Sequence, residues 1–333
     1  MTTHSVLVLL DTPTIEVRSA AKELLTLARN IGEPVAVAFE APNEKTIEQL
    51  KEYGVRRLFL GTVEGGASHH LTPVAAELLA QAVEMTQARA VLASPTFENK
   101  EISARLAYAI GAGLVIDTVK VGLEGDNFVG YKRVFAGSWD VDCTIRTPIA
   151  VATVRANAVI PAPADTPSEA LETVEFSVAP SELATSAYMV SRTEHAPIAG
   201  GSGRPKLAEA AFVVAGGRGT NGDYGPVEEL ADALGGAVGA TRDAVDEGWI
   251  EHDAQIGQTG VTVAPRVYIG AGISGAPHHR GGMQASGIII GVNSDADAPI
   301  FEICDFGVVG ELQDVLPQAA AAIRAYKEGQ YEI

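Results

Sequence analysis

Apolar and polar residues form alternating blocks along the first third of the chain. Short apolar runs predict buried strands, and longer stretches with apolar residues three or four positions apart predict helices. Alternating strands and helices are typical of βαβ units, so this part is predicted to be an α/β layer with a parallel sheet. The predicted strands are residues 5–10, 35–39, 57–60 and 90–94, and the predicted helices are residues 14–30, 46–53, 71–86 and 100–110.

Beyond Val115 the pattern changes to short β-rich runs separated by glycine, aspartate or proline. These runs predict a small antiparallel extension of the first sheet. They are residues 118–122, 127–133, 142–146 and 149–155. After a proline-containing loop, two further strands are predicted at residues 173–178 and 187–192.

A glycine-rich junction, A-G-G-S-G-R-P at residues 199–205, precedes a second alternating pattern. We predict a first domain at residues 1–198, a linker at 199–208 and a second domain at 209–333. The alternation in the second domain predicts a doubly wound parallel sheet. Its predicted strands are residues 211–215, 237–240, 266–269, 287–292 and 300–303, with helices at 226–234 and 311–328.

The charge balance narrows the classes of partner. Lys and Arg number 24 against 42 Asp and Glu, a formal net charge of −18. Such a field repels phosphate backbones, so no nucleic-acid partner is expected. No apolar run approaches the length of a membrane span and no signal peptide is recognisable, so we expect a cytoplasmic protein without membrane insertion.

The cysteines and histidines predict no metal site. Cys143 and Cys304 are far apart in the sequence, which argues against a disulfide framework, a structural zinc or an iron–sulfur cluster. His69 and His70 have no carboxylate or cysteine at ligand spacing. We therefore interpret the two histidines as part of a surface turn.

Glycines, cationic residues and polar residues follow the predicted strands of the second domain. Ligands of open α/β sheets bind outside the carboxyl ends of the strands, so these residues are expected to converge on one edge. Glycines let backbone N–H groups approach a diphosphate, and cationic groups there oppose the sign of the whole chain. A negatively charged ligand is therefore predicted. The residues concerned are 216–218, Thr241, Arg242, 272–275, His279, Asn293 and Asp305.

Gly270, Gly272 and Gly275 spell G-x-G-x-x-G after a predicted strand, which matches the fingerprint of a dinucleotide site. In the dinucleotide fold this motif follows the first strand, whereas here it follows a late one. Pro277 also interrupts the run that should open the helix. Both differences weigh against an NAD site. We therefore keep an NAD-dependent oxidoreductase using this loop as an alternative hypothesis only. A nucleotide-binding subunit without a redox role is a further alternative.

Several motifs, in order, resemble the α subunit of electron transfer flavoprotein. They are G-G-R-G at 216–219, T-R at 241–242, Q-I-G-Q-T-G at 255–260, Y-I-G-A-G-I-S-G-A-P-H-H at 268–279 and V-N-S-D-A-D-A-P-I-F at 292–301, with V-R-A-N-A at 154–158 in the first half. The resemblance implies FAD in the C-terminal domain and a β subunit that carries AMP. It implies an electron-carrying heterodimer of fatty acid β-oxidation, not an enzyme with a substrate of its own. The donors would be acyl-CoA and related dehydrogenases, and the acceptor a membrane quinone oxidoreductase.

The resemblance also implies individual roles. Arg218 would lie near the diphosphate and adenosine portion, and Asn293 would be an adenosine-side contact. Arg242 would lie against the flavin ring, Thr259 would reach flavin N5, and His279 would lie near the C2 carbonyl. Other residues implied at the cofactor are Thr241, Gln255, Ile256, Gly257, Gln258, Gly260, Ser274, Gly275, Ala276, Pro277, His278, Asp305 and Glu311.

Four positions depart from the usual residues of that family. Thr241 replaces serine and keeps the hydroxyl, while Pro277 replaces an aliphatic residue. Glu311 replaces aspartate and adds a methylene. His278 stands where glutamine is usual, so two adjacent histidines compete for the flavin-side role, and both possibilities are left open.

Overall fold

The computed structural model describes residues 4–11, 13–135, 138–193 and 203–329. The chain forms two compact units: the described residues of Met1–Lys132 with Asp140–Glu194, and those of Arg133–Trp139 with His195–Ile333. The domain and linker limits given above stay predictions, and positions 199–202 of the linker lie outside the described residues. No helix in the described part of the chain is long and apolar enough to cross a membrane.

The first unit is built on a seven-stranded sheet whose strand pairs are parallel. The predicted α/β class and the first four strands and helices are confirmed, with shifts at their ends. These elements are β1 (Ser5–Leu9), α1 (Ser19–Ile31), β2 (Glu33–Ala38), α2 (Glu44–Glu52), β3 (Arg57–Val63), α3 (Thr72–Thr86), β4 (Ala90–Ala93) and α4 (Phe97–Ile110).

Strand β1 shows why the apolar runs of this unit are continuous. Successive side chains of a strand point to opposite faces. Val6 and Val8 pack with Leu24 of α1 in one hydrophobic cluster. Leu7 and Leu9 belong to a second cluster, which α3 and α4 cover. Because helices cover both faces of the sheet, every position of the strand after Ser5 is apolar.

The antiparallel extension is confirmed in part. Strand β5 (Gly113–Thr118) joins the main sheet, and the next three strands form a separate small sheet. They are β6 (Lys120–Glu124), β7 (Asn127–Val134) and β8 (Trp139–Ile145), and β6 pairs antiparallel with β7.

Placing residues 149–155 in the extension is wrong. They form β9 (Ala150–Val154), a strand of the main sheet between β4 and β5, buried at every residue. The main sheet ends with β10 (Glu172–Val178), and its order is β10-β3-β2-β1-β4-β9-β5. The run A-V-A-T-V shows no polar alternation, as expected of a strand covered on both faces.

The strand predicted at residues 187–192 is also wrong, because this segment has no strand structure. Tyr188 and Val190 are largely exposed. Their side chains favour strands, but β-propensity acts only where neighbouring strands and a packed surface support it.

The second unit contains a five-stranded parallel sheet in the order β12-β11-β13-β14-β15. Strand β12 lies on one side of β11 and β13 on the other, so strand addition reverses between β11 and β13. The doubly wound sheet predicted for this part is confirmed. Its elements are β11 (Phe212–Gly216), α5 (Gly225–Leu234), β12 (Ala237–Ala240), α6 (Arg242–Asp246), β13 (Val267–Ala271), α7 (Pro277–Met283), β14 (Ile288–Asn293), β15 (Phe306–Val309) and α8 (Leu312–Lys327).

Two local predictions for this unit are wrong. The fifth strand is β15, whereas part of the predicted strand 300–303 lies in a turn of 3-10 helix, Pro299–Glu302. Ile300 is fully buried and packs on the backbone of Gly275, so the apolar run marks a buried turn. Pro277 does not interrupt a helix but begins α7. Proline is favoured at a first helical position because that N–H has no intrahelical partner.

Candidate functional site

A cavity of about 220 Å³ lies at the carboxyl end of the second unit's sheet. The loops that follow all five strands reach it, as expected where strand addition reverses in an open α/β sheet. The structure thus brings together several residues that the sequence places at strand ends. The lining includes Arg218, Thr241, Gly272, Ile273, Ser274, Asn293 and Glu311.

The size of the cavity limits what it can enclose. Small-molecule pockets usually have volumes of about 300–1,000 Å³. A cavity of about 220 Å³ can therefore enclose only one part of a dinucleotide-sized ligand, and the remainder of such a ligand would lie along the open edge of the sheet.

Glycines let two loops meet beside this cavity. The N–H of Gly219, after β11, donates to the carbonyl of Gly272, after β13, at 3.0 Å. A Cβ atom on Gly219 would lie 2.6 Å from the Gly272 Cα, and Gly272 has a φ of +61°. Glycine at 219 and 272 is therefore required by backbone packing, whether or not a ligand contacts them.

Asp305 lies away from this edge, contrary to the expectation that it follows a strand. It precedes β15, and its carboxylate accepts a hydrogen bond from the Ile289 N–H, near the start of β14, at 2.8 Å. The residues that follow the fifth strand at the cavity are Gly310, Glu311 and Leu312, and Glu311 directly precedes α8. The structure therefore does not bring Asp305 together with the residues that line the cavity.

The segment from Gln255 to Gly260 forms a second wall beside the end of β12. The N–H of Ile256 donates to the carbonyl of Ala240, the last residue of β12, at 2.9 Å. The side-chain amide of Gln255 donates to the Thr259 hydroxyl at 2.9 Å, and this bond holds the Thr259 side chain in place.

Helix α7 packs against this segment. The Gln258 N–H donates to the His278 carbonyl at 3.1 Å. A Cβ atom on Gly282 would lie 2.5 Å from the Gly257 Cα, so the two backbones touch. The candidate residues Gln255–Gly260 and 276–279 are therefore one packed group.

The loop after β13 is held in place by backbone contacts. The Ser274 carbonyl accepts a hydrogen bond from the Ile300 N–H at 2.9 Å, and the side-chain amide of Asn293 donates to the Ile273 carbonyl at 2.9 Å. Gly275 has a φ of +86°. Ser274 and Asn293 can therefore face the cavity on a fixed backbone.

The two arginines at this edge are exposed and paired with acidic neighbours. Arg218 Nε lies 3.2 Å from Asp243, and Arg242 Nε lies 3.1 Å from Asp246. Ion pairs this exposed contribute at most about 1 kcal/mol, so they are readily exchanged for contacts to an anion. Both guanidinium groups are thus available to a negatively charged ligand.

His278 and His279 lie in different environments. His278 is exposed, and its Nδ1 lies 3.0 Å from Gln258 Oε1. His279 is buried, with Nε2 2.6 Å from the Tyr268 hydroxyl and Nδ1 3.2 Å from the Ile256 carbonyl. Contact between His279 and the flavin C2 carbonyl stays a prediction, and in this structure both its ring nitrogens bond within the unit.

Burial determines the charge of His279. It lowers the pKa of the imidazole from 6.5 to about 4, and the hydrogen bond to Ile256 offsets this only in part. Burial also raises the pKa of the Tyr268 hydroxyl, which therefore donates its proton to Nε2 while Nδ1–H donates to Ile256. His279 is thus neutral at pH 7, contrary to the expectation of a cationic group there.

Thr241 carries an unpaired polar atom at the cavity. Its hydroxyl oxygen is buried and has no hydrogen-bond partner among the described residues. Thr241 directly precedes α6, yet its hydroxyl does not cap that helix. Buried polar groups are normally paired, so an unpaired hydroxyl lining a cavity fits a bound group with hydrogen-bonding atoms.

Other lining residues were missed by sequence reasoning. Asp243, Asp295, Gly310 and Leu312 also line the cavity. Each lies within three residues of the end of β12, β14 or β15. Asp243 and Asp295 lie within one turn of a predicted strand end, which is a signal that the sequence contains, whereas Gly310 and Leu312 depend on the correct position of β15.

Comparisons with known proteins match two family profiles to the chain. The profile of the electron transfer flavoprotein domain matches residues 6–181, and that of the electron transfer flavoprotein FAD-binding domain matches residues 206–284. The electron transfer flavoprotein subunit alpha of Mycobacterium leprae is 43% identical over 96% of this chain and 98% of its own length. The subunits alpha of Syntrophomonas wolfei and Bacillus subtilis are 34% and 31% identical, over 92% and 91% of this chain and 95% and 92% of their own lengths.

Identity at this level over nearly the full length, together with both domain matches, is decisive for family membership. The chain belongs to the family of electron transfer flavoprotein α subunits.

Proposed function

We propose that this chain holds FAD along the carboxyl edge of its second unit and carries electrons as the α subunit of a heterodimer. Its partner would be a β subunit holding AMP. Electrons would come from acyl-CoA and related dehydrogenases and pass to a membrane quinone oxidoreductase, and the complex would be cytoplasmic. The unpaired Thr241 hydroxyl, at a cavity reached by five strand ends, is the observation that carries the proposal.

The residues of this edge divide the work of holding such a cofactor. FAD would supply reversible electron transfer itself. Arg218 and the loops at the cavity would bind the diphosphate and adenosine portion, with Asn293 and Glu311 beside them. Arg242 and the Thr259 hydroxyl, which Gln255 fixes, would contact the ring system.

The NAD alternative has less support at this loop. Gly272 contacts the backbone of Gly219, so one glycine of the G-x-G-x-x-G motif already has a structural cause. A colourless purified complex that binds nicotinamide dinucleotide would support that alternative. A complex that binds adenine nucleotides without any reducible cofactor would support a subunit without a redox role.

Thr241→Val tests the observation that carries the proposal. We expect the Kd for FAD to rise about five- to tenfold, because a net hydrogen bond contributes about 1–1.5 kcal/mol. The cofactor-free chain should be no less stable, since the hydroxyl has no described partner to lose. Flavin fluorescence titration and urea unfolding measure the two effects.

Thr241→Ser is the matched control, because it keeps the hydroxyl and should bind FAD as the parent chain does. Equal affinity in all three proteins would contradict the role of this hydroxyl. A parent chain that, purified with its β subunit, shows no flavin absorbance would contradict the proposed function itself.

Arg242→Ala tests the electron-carrier role. A guanidinium beside the ring stabilises the negative charge that reduction adds, so we expect the reduction potential to fall by on the order of 50 mV, about 1 kcal/mol for one electron. Spectroelectrochemical titration of the purified complex measures this potential.

Arg324→Ala is the control for loss of one exposed, ion-paired arginine. Arg324 lies twelve positions along α8 from Leu312, or about 18 Å at the helical rise, which exceeds the screening length in physiological salt. Its removal should leave the potential unchanged. Equal shifts in both variants would show that Arg242 acts only through net charge.

A further inference from the structure

Glu40, His69 and His70 come together at the carboxyl-end edge of the first unit's sheet. Glu40 follows β2, and the two histidines lie between β3 and α3. Glu40 Oε1 lies 3.2 Å from His69 Nε2 and 3.7 Å from His70 Nε2. Glu40 is 29 residues from His69 in sequence, so the spacing of residues around the two histidines does not reveal it as a ligand.

The separations suit a coordinated cation. One ligand atom from each of the three residues lies within 4.8 Å of the others. At zinc–ligand bonds of about 2.0–2.1 Å, neighbouring ligand atoms of a tetrahedron are about 3.3–3.4 Å apart. The observed 3.2 and 3.7 Å bracket that distance. A simple ion pair would require only one histidine beside Glu40. Here the same Glu40 oxygen lies near both histidines, as in a shared cation site.

The loop that carries the two histidines is partly fixed before any cation binds. The His70 N–H donates to the Ser68 hydroxyl at 3.2 Å, and the Leu71 N–H donates to the Ser68 carbonyl at 3.1 Å. The Phe39 ring centroid lies 6.4 Å from that of His69. The three ligand side chains are 28–33% exposed, which leaves room for water at a fourth coordination position.

Two positive groups oppose cation binding here. Arg192 contacts the ring nitrogens of His70, so a metal must displace its guanidinium from that ring. The N-terminus of α3, two residues after His70, adds partial positive charge. Both effects lower the affinity below that of a closed structural zinc site.

We propose that Glu40, His69 and His70 form a three-ligand site for a divalent cation of the zinc class. Two imidazoles and one carboxylate are a ligand set that suits zinc, and three protein ligands plus water leave one position open. The cation takes the place of Arg192 on His70. All four residues belong to the first unit, so this site does not depend on FAD binding in the second.

Titration of the metal-free, full-length chain with Zn²⁺ or Co²⁺ alone tests the site. We expect one equivalent to bind and Co²⁺ to give the absorption of a four-coordinate ion. His69→Gln and Glu40→Gln should each raise the Kd at least about tenfold. Arg192→Gln should lower the Kd, because it removes the competing cation.

His252→Gln provides the matched control, since this exposed histidine belongs to the second unit and should leave the Kd unchanged. Circular dichroism checks that each variant folds, and Glu40→Asp replaces Glu40→Gln if that variant does not. A parent chain without saturable binding at millimolar Zn²⁺ would overturn the proposal. A Kd that neither His69→Gln nor Glu40→Gln changes would also overturn it.

Discussion

Replacing Gly272 by alanine should destabilise the second unit by about 2–5 kcal/mol. An L-residue at a φ of +61° costs about 1–2 kcal/mol. A Cβ atom would also lie 2.7 Å from the Gly219 Cα and 2.8 Å from Leu312 Cδ2, and overpacking of this kind costs about 1–3 kcal/mol. The leucine can rotate away, but the Gly219 backbone is held by its hydrogen bond to Gly272.

Gly248→Ala separates the two contributions. Gly248 has a φ of +73°, but a Cβ atom there meets nothing within 4 Å. Its replacement should therefore cost only the backbone part, about 1–2 kcal/mol. Urea unfolding of both variants, with hydrogen exchange of the β11 and β13 amides, measures the difference. If the two substitutions cost the same, contact between the two loops contributes nothing.

Acidification should destabilise the second unit by about 3 kcal/mol through His279 alone. Burial lowers the pKa of this imidazole from 6.5 to about 4, so the unfolded chain takes up the proton first. The stability contribution is present above pH 6.5 and is lost as the pH falls to 4. At about 1.4 kcal/mol per pKa unit, this difference corresponds to about 3 kcal/mol.

The free energy of unfolding at pH 7 and pH 5 shows this effect before most carboxylates titrate. From pH 7 to 5 we expect a loss of about 2 kcal/mol from His279. His279→Gln should be less stable at pH 7 but should lose correspondingly less on acidification. His252→Gln removes an exposed histidine and should keep the parent's pH dependence. Equal pH dependence in the parent and His279→Gln would show that His279 is not buried neutral.

Periodicity predicted the strands well where both faces are buried, although it assigned β9 to the wrong sheet. The largely apolar runs at β1 and β9 are strands because helices and neighbouring strands surround them. The same signal failed at Ile300, which is equally buried but lies in a turn packed on Gly275. An apolar run records burial, and burial alone does not distinguish a strand from a packed turn.

Residues that follow correctly predicted strands lie together at the candidate site. Arg218, Thr241 and Asn293 follow correctly predicted strands and line one cavity. Asp305 does not line this cavity because the fifth strand lies a few residues later than predicted, so that Asp305 precedes it. The neutral state of His279 depends on its burial, which the order of residues in the chain does not reveal.

The position of edge strand β10 affects the order in which the first unit can fold. It pairs with β3 through Glu172 opposite Arg57, so this contact spans more than one hundred residues. Central strand β9 likewise joins β4 from a distance of sixty residues, Ala150 opposite Ala90. Pairings this distant slow folding, because a long loop must close before they form. On the ribosome, β1 to β4 therefore emerge with an open edge that waits for residue 154, and the first unit completes its sheet only after residue 178 is synthesised.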